Sequence, residues 1–283
     1  MGCRKVSAGC KHCYMFRDMQ FYGRDPNVIA RASLPTFRNP IKWAKNGKLA
    51  HGSRIFTCSW SDWFIAQADE WRPEAWEIVK ATPYTYMILT KRAERIADCL
   101  PPDWGDGYPN VWLGVSAENQ ETADKRIPLL LDIPARVRFV SAEPLLGPIE
   151  FTHWLPSGLH WIITGGESGP DARPMNLDWA RSVRDQCANA GTAFFHKQHG
   201  AVKKVNGEWG GCVLDGAIWD QFPAAPVVMR KTVEISCPEC GSCAVTPTTK
   251  HGNGQCEYCC DDCGHYFVDQ AAATGLQATG ARN

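Results

Sequence analysis

The sequence predicts a parallel α/β fold, an open or partial barrel of six strands, with a small cysteine-bearing module appended. Three observations predict it. Six short apolar, β-branched and aromatic runs alternate with helical stretches between residues 53 and 197, the pattern of β-α units with parallel strands. Each run ends in polar residues, as strands do where their C-terminal edges face a ligand. Cysteines bunch at the two ends of the chain, three within residues 3–13 and seven within 237–263.

Strands are expected near 53–59, 85–90, 111–117, 136–142, 159–165 and 192–197, and helices near 14–22, 40–46, 73–81, 92–99, 120–131 and 177–190. Asn39-Pro40 starts the second helix and Gly47 ends it; Asn176 caps the last and Gly191 closes it. Six strands leave a barrel incomplete, and a doubly wound sheet is the rival arrangement. The strand ends read Ser59, Ser61 and Asp62; Thr90-Lys91-Arg92; Val115-Ser116-Ala117-Glu118; Val140-Ser141-Ala142-Glu143; Gly165-Gly166-Glu167-Ser168; and His196-Lys197-Gln198. Together they would line one mouth; singly, each could simply cap a helix or pair with a neighbour. Residues 200–230, with frequent Gly, Trp and Pro, read as irregular structure closing the domain. The expected division is 1–229 for the barrel, 230–270 for the appended module and 271–283 for a small, polar, disordered tail.

The chain has 283 residues, room for one sizeable domain and an appendage. Thirty Lys and Arg balance thirty Asp and Glu, so any contact with nucleic acid must come from a local patch. No run approaches the length of a membrane span, and the N-terminus lacks the apolar core of a signal peptide. A reducing cytoplasm is the expected compartment. Bunched cysteines there read as metal ligands rather than disulfides. The scattered Cys58, Cys99, Cys187 and Cys212 read as buried or incidental.

Cys3, Cys10 and Cys13 stand in the spacing C-x6-C-x2-C. A [4Fe–4S] cluster normally takes four thiolates, so three from one short loop leave one iron open. Gly2 and Gly9 suit a loop folded tightly around such a group. A zinc site completed by His12 or a distant ligand is the alternative.

The string GCRKVSAGCKHCY at residues 2–14 resembles the start of the phage-associated three-Cys-motif radical SAM family. Further strings match in order: Ser59-Trp60-Ser61-Asp62-Trp63-Phe64, Leu89-Thr90-Lys91-Arg92, Trp112-Leu113-Gly114-Val115-Ser116, Ser141-Ala142-Glu143-Pro144-Leu145-Leu146, Gly165-Gly166-Glu167-Ser168-Gly169-Pro170 and Lys197-Gln198. The resemblance implies a partial (β/α)6 radical SAM barrel. Its cluster and S-adenosylmethionine would sit at the mouth, and cleavage of the sulfonium would release a 5′-deoxyadenosyl radical. Ser116, Glu118, Ser141, Glu143 and Glu167 become candidates for the cofactor's ribose, amino or carboxylate groups. His12, Tyr14, Ser59, Gly165, Gly166 and Ser168 complete the cofactor-binding candidates. Relatives carry a strand before the cluster loop; here the chain begins two residues before Cys3, so that strand is expected to be missing or replaced.

Near the other end, Cys237-Pro238-Glu239-Cys240-Gly241 and Cys260-Asp261-Asp262-Cys263-Gly264 are two C-x-x-C-G knuckles nineteen residues apart. They predict a zinc ribbon, with strand-like flanks at Thr232–Ile235 and His265–Val268. Cys243, Cys256 and Cys259 leave the ligand set open, and an auxiliary iron–sulfur cluster is the alternative.

A basic run with no acid between Asp25 and Asp62 includes Arg38, Lys42, Lys45 and Lys48 around Trp43. Such residues suit phosphate contact and base stacking, though a solvated helix face reads the same way. The resemblance implies a radical enzyme that modifies a base in phage DNA within the host cytoplasm. In its most specific form it would isomerise 5-Nα-glycylthymidine to the carbon-linked glycine, with Lys91 and Lys197 holding a substrate carboxylate. An electron donor such as flavodoxin or ferredoxin and a monomeric state are expected. Two alternatives stay open: radical SAM chemistry on another nucleotide or peptide, and a non-catalytic zinc protein that binds nucleic acid.

Overall fold

The computed structural model describes residues 1–223 and the backbone of 245–250, 256–260 and 266–268. The chain divides into two compact units, Met1–Pro226 and Val227–Asn283.

The first unit is built on one sheet of β1 (Arg54–Phe56), β2 (Thr85–Thr90), β3 (Val111–Ser116), β4 (Val137–Ala142), β5 (Trp161–Gly165) and β6 (Ala193–Gln198). Every adjacent pair is parallel, and the spatial order is the sequence order. A doubly wound sheet reverses its strand order part-way. This one does not, and it curls into a half-barrel. The helices are α1 (Tyr14–Phe21), α2 (Leu34–Phe37), α3 (Asn39–Asn46), α4 (Arg72–Ala81), α5 (Gln120–Leu131) and α6 (Leu177–Ala190). Asn176 caps α6 by accepting from the Asp178 amide, and Asn119 caps α5 in a reciprocal box with Thr122. Asn39 is the first helical residue of α3 rather than its cap, with Arg38 in the capping position.

Alternation along the strands separates two faces. Tyr86, Ile88, Leu113, Val115, Val140, Ile162 and Phe194 join Trp76 and Val79 of α4, Ile127 and Leu130 of α5 and Val183 of α6 in one core. The alternate residues Trp112, Val137, Phe139 and Trp161 form a second cluster on the concave face, with Met87, Leu89, Ile163 and Phe195 against it.

The helix expected at 92–99 is replaced by two 3-10 turns, Ala93–Arg95 and Ala97–Cys99. Arg92 leaves helical geometry to send its guanidinium inward. Arg95 donates to the Phe64 carbonyl at 2.8 Å, tying this segment to another loop. β1 stops at Phe56 because Cys58 turns the chain with φ 54°. Residues 200–223 are more regular than expected. They make two hairpins, β7 (Lys204–Val205) with β8 (Glu208–Trp209) and β9 (Val213–Leu214) with β10 (Ala217–Ile218). Beyond β10 the chain returns along the β6 edge, where Asp220 bridges Phe195 and the Trp161 indole donates to the Gln221 carbonyl at 2.8 Å. Phe222 then packs 4.9 Å from Trp161, and the Arg54 guanidinium lies 3.6 Å from the Phe222 ring centroid. That contact brings the start of β1 towards the segment beyond β6, so it spans the open side of the half-barrel.

In the second unit, β11 (Val245–Lys250), β12 (Cys256–Cys260) and β13 (Tyr266–Val268) form an antiparallel meander. Cys237, Cys240, Cys243 and Cys263, the flank at Thr232–Ile235 and the tail at 271–283 lie outside the described residues. Among the described residues no helix is long and apolar enough to cross a membrane.

Candidate functional site

A cavity of ≈ 900 Å³ occupies the concave side of the half-barrel at the C-terminal strand ends. Strand parity explains its lining. The positions that follow Leu89, Gly114, Phe139 and Phe195 by two residues are Lys91, Ser116, Ser141 and Lys197, and all four reach it. Glu143, Ser59, Gly166, Glu167 and Ser168 line it too, as do Cys3, Cys10, His12, Cys13 and Tyr14 from the N-terminal loop. The floor is apolar and aromatic, with Phe139, Trp161, Phe195 and Phe222.

The loop is fastened from several sides. The Cys3 amide donates to the Pro26 carbonyl at 3.0 Å and the Ala30 amide to the Met1 carbonyl at 2.9 Å. Ser61 Oγ donates to the Gly2 carbonyl at 2.8 Å. The chain after α1 therefore braces the start of the loop, where a preceding strand was expected to be missing or replaced. Further along, Arg173 Nη2 donates to the Ala8 carbonyl at 2.9 Å, and Tyr14 Oη donates to the Ser59 carbonyl at 2.8 Å.

Arg92 and Asp62 form a buried pair at 2.9 Å. Asp62 also accepts from Thr90 Oγ1 at 2.7 Å and from the amides of Phe64 and Lys91. The Arg92 fork extends to the Arg4 carbonyl at 2.9 Å and comes within 3.8 Å of Cys3 Sγ. Burial pushes the Cys3 thiol up, and the Arg92 charge opposes it.

The carboxylates at the strand ends are all engaged. Glu118 is fully buried beneath the loop and does not line the cavity. Its oxygens take the Ser7 hydroxyl at 2.6 Å and Arg126 Nη1 at 3.0 Å, with Lys91 Nζ at 3.7 Å. Burial raises the Glu118 pKa, but Lys91, Arg126 and Ser7 outweigh it and hold the carboxyl below its usual range. A Cβ on Gly9 would overlap the Glu118 side chain, so this glycine lets the loop sit on the carboxylate. Glu143 pairs with Lys197 at 3.1 Å and accepts from Ser141 Oγ at 3.0 Å; its charge raises the Lys197 pKa against the effect of burial. Glu167 is gripped by Arg173, whose Nε lies 2.8 Å away; burial raises the Glu167 pKa and those bonds more than reverse the shift. Gly165 does not line the cavity; it packs against the Glu143 carboxylate, and Gly166 packs against the His199 carbonyl.

The basic run at 38–48 is not brought to this site. Arg38 pairs with Glu74 at 2.8 Å, Trp43 packs on the core, and Lys48 lies over the Trp43 ring at 5.5 Å. Lys42 and Lys45 are exposed on α3, and none of the five lines the cavity. Four residues that do matter here had no role assigned from sequence: Arg92, Arg173, Arg126 and Cys58. Cys58 lines the cavity just beyond the end of β1, where its positive φ rather than strand alternation places it.

Residues 1–223 match the family model described as "Protein of unknown function (DUF5131)". The chain belongs to this family. No curated protein and no solved structure matches it. The DUF5131 match covers the half-barrel, both hairpins and every residue of the cavity wall, and it stops before the C-terminal cysteines.

Cys3, Cys10 and Cys13 are free thiols, partly exposed on one cavity wall. A single ion needs donors that converge on one point, and among the described residues no three of His, Cys, Asp and Glu are arranged to hold one. The three thiols are donors of the type an iron–sulfur cluster takes, one thiolate to each iron. The cavity volume also falls within the range for a small-molecule cofactor.

Proposed function

We propose that this chain is a radical SAM enzyme in which Cys3, Cys10 and Cys13 hold a [4Fe–4S] cluster. One observation carries the reading: three cysteines of a single loop share a cavity with the polar ends of a parallel half-barrel. When bound, the cluster would supply the electron that cleaves S-adenosylmethionine to a 5′-deoxyadenosyl radical.

The chain's own residues then have definite tasks. Arg92, Arg173 and Ser61 hold the loop at its backbone. Ser116, Ser141, Glu143, Glu167 and Ser168 offer polar groups to the cofactor, with His12, Tyr14 and Ser59 at the loop side. Lys91 and Lys197 offer cations to a substrate carboxylate, each already beside a glutamate that it would share. The aromatic floor excludes water from the reacting side. For the substrate we propose a base in phage DNA, most specifically 5-Nα-glycylthymidine isomerised to its carbon-linked form, with flavodoxin or ferredoxin as electron donor. The C-terminal Cys237, Cys240, Cys260 and Cys263 would hold zinc.

The test is an anaerobic preparation reconstituted with iron and sulfide. About four irons per chain are expected, with 5′-deoxyadenosine released on reduction. Cys10→Ala should abolish that release. Undiminished release from Cys10→Ala sinks the cluster assignment, and zinc alone in the wild type favours a non-catalytic binder. Mass spectrometry of nucleosides from glycylthymidine-containing DNA, before and after incubation, decides the substrate.

A further inference from the structure

The mouth has an aromatic and basic border that the basic run at 38–48 does not provide. Phe21 and Tyr22, at the end of α1, are 83% and 64% exposed, an unusual cost for two adjacent aromatic rings. They meet edge to face at 5.3 Å, and Tyr22 continues to Trp60 at 6.2 Å. Trp60 stands between Ser59 and Ser61, both of which line the cavity, and α1 itself runs from the cavity wall at Tyr14 to Phe21. None of the three rings lines the cavity itself; they stand on residues close in sequence to its wall, Phe21 three residues beyond Asp18.

The N-terminal segment that carries them leans basic, although the run at 38–48 lies away from this site and Arg17 is paired with Asp18 at 3.3 Å. Residues 1–61 hold eleven Lys and Arg against two Asp, whereas the rest of the chain holds nineteen Lys and Arg against twenty-eight Asp and Glu. Arg4 and Arg17 line the cavity, and Arg24 follows the rings directly with its guanidinium beside Met1. Exposed rings set among cations make a platform for unpaired bases and their phosphates. They do not suit an intact duplex, whose base faces are already stacked. The cavity has the volume of a small-molecule site, so a base reaching its floor must leave the helix.

We propose that Phe21, Tyr22 and Trp60, with Arg4, Arg17 and Arg24, form a track for single-stranded or locally opened DNA that feeds one base into the cavity. The proposal rests on the nucleic-acid substrate put forward above and adds the strand's form and its path.

The test uses the full chain, purified anaerobically, and the fluorescence anisotropy of labelled 20-nucleotide probes. The arms are single-stranded DNA, the same sequence as RNA, a perfect duplex and a duplex with a central mismatch; polyglutamate serves as competitor. Single-stranded DNA should bind tightest and the mismatched duplex next, with affinity falling as salt rises. Phe21→Ala/Tyr22→Ala should weaken single-strand binding at least about fivefold. Both rings are exposed, so an unchanged melting temperature confirms that the fold is intact. Wild-type affinity in the double variant overturns the proposal. So does equal affinity for the perfect duplex, binding of RNA as tight as DNA, or displacement by polyglutamate. Deoxyadenosine release by the wild type is measured on the same preparation. Its absence with strand binding intact removes the radical reading and leaves the track; its presence with binding indifferent to the rings does the reverse.

Discussion

Arg92 concentrates more of the site than any cysteine does. Its planar fork holds the buried Asp62 at 2.9 Å and the Arg4 carbonyl at 2.9 Å, which couples the end of β2 to the N-terminal loop. Removing one partner of a buried pair typically costs about 3–5 kcal/mol because the other charge is left unpaired. Arg92→Ala should therefore lower the denaturation midpoint of the whole first unit. Arg92→Lys is the sharper variant. A lysine keeps the charge but has no rigid fork, so it can satisfy Asp62 or the Arg4 carbonyl but not both. Hydrogen exchange should then show the fold retained and protection lost at the Cys3 amide. Unchanged protection there would show that the Pro26 carbonyl holds the loop without help from Arg92.

At the scale of elements, the strands were legible because each alternates or runs apolar over its whole length, and parity alone places Lys91, Ser116, Ser141 and Lys197 on the concave face. What was not legible depends on partners distant in sequence. Residues 92–99 carry a helical pattern, but Arg92 and Arg95 are drawn to Asp62 and to the Phe64 carbonyl, and the segment breaks into two turns. Trp43 looked free to stack on a base until the core claimed it. The hairpins beyond β6 were hidden by glycine-rich turns, and a histidine pair ties them to the sheet. His196 is buried, with Nδ1 at 2.9 Å from Thr164 Oγ1 and Nε2 at 2.9 Å from His199 Nδ1. Burial, with His199 adding to it and Glu143 opposing, pushes the His196 pKa down to about 4. The unfolded chain takes up this proton first, so stability is full above about pH 6.5 and falls as the pH drops toward 4. The loss amounts to roughly 3 kcal/mol at most. Depressed carboxyls such as Glu118 and Glu167 lose their contribution only below about pH 4.3, which leaves pH 5–7 to the histidines. His160, lowered by burial, acts with the same sign, so the assignment needs a variant. His196→Gln should be less stable than wild type at pH 7 and show a flatter urea midpoint from pH 7 to 5. A slope equal to the wild type's would assign the effect to His160 and His199 instead.

The whole molecule separates its two cysteine groups as cleanly as its two compact units. The DUF5131 match ends at residue 223 and the first unit at Pro226, so the three N-terminal cysteines and every cavity residue fall on one side of that boundary. The seven C-terminal cysteines fall on the other. A metal that folds a small module contributes its binding energy to that module alone. The two metals proposed above should accordingly be lost independently. Cys237→Ser/Cys240→Ser should remove zinc while leaving iron content, deoxyadenosine release and the melting of the first unit as they are. Cys10→Ala should remove iron and leave zinc in place. Elemental analysis of the two variants reads both outcomes directly. If the C-terminal double variant instead loses iron and acid-labile sulfide in part, the second unit carries an iron–sulfur group, and its cysteines belong to electron transfer rather than to a structural staple.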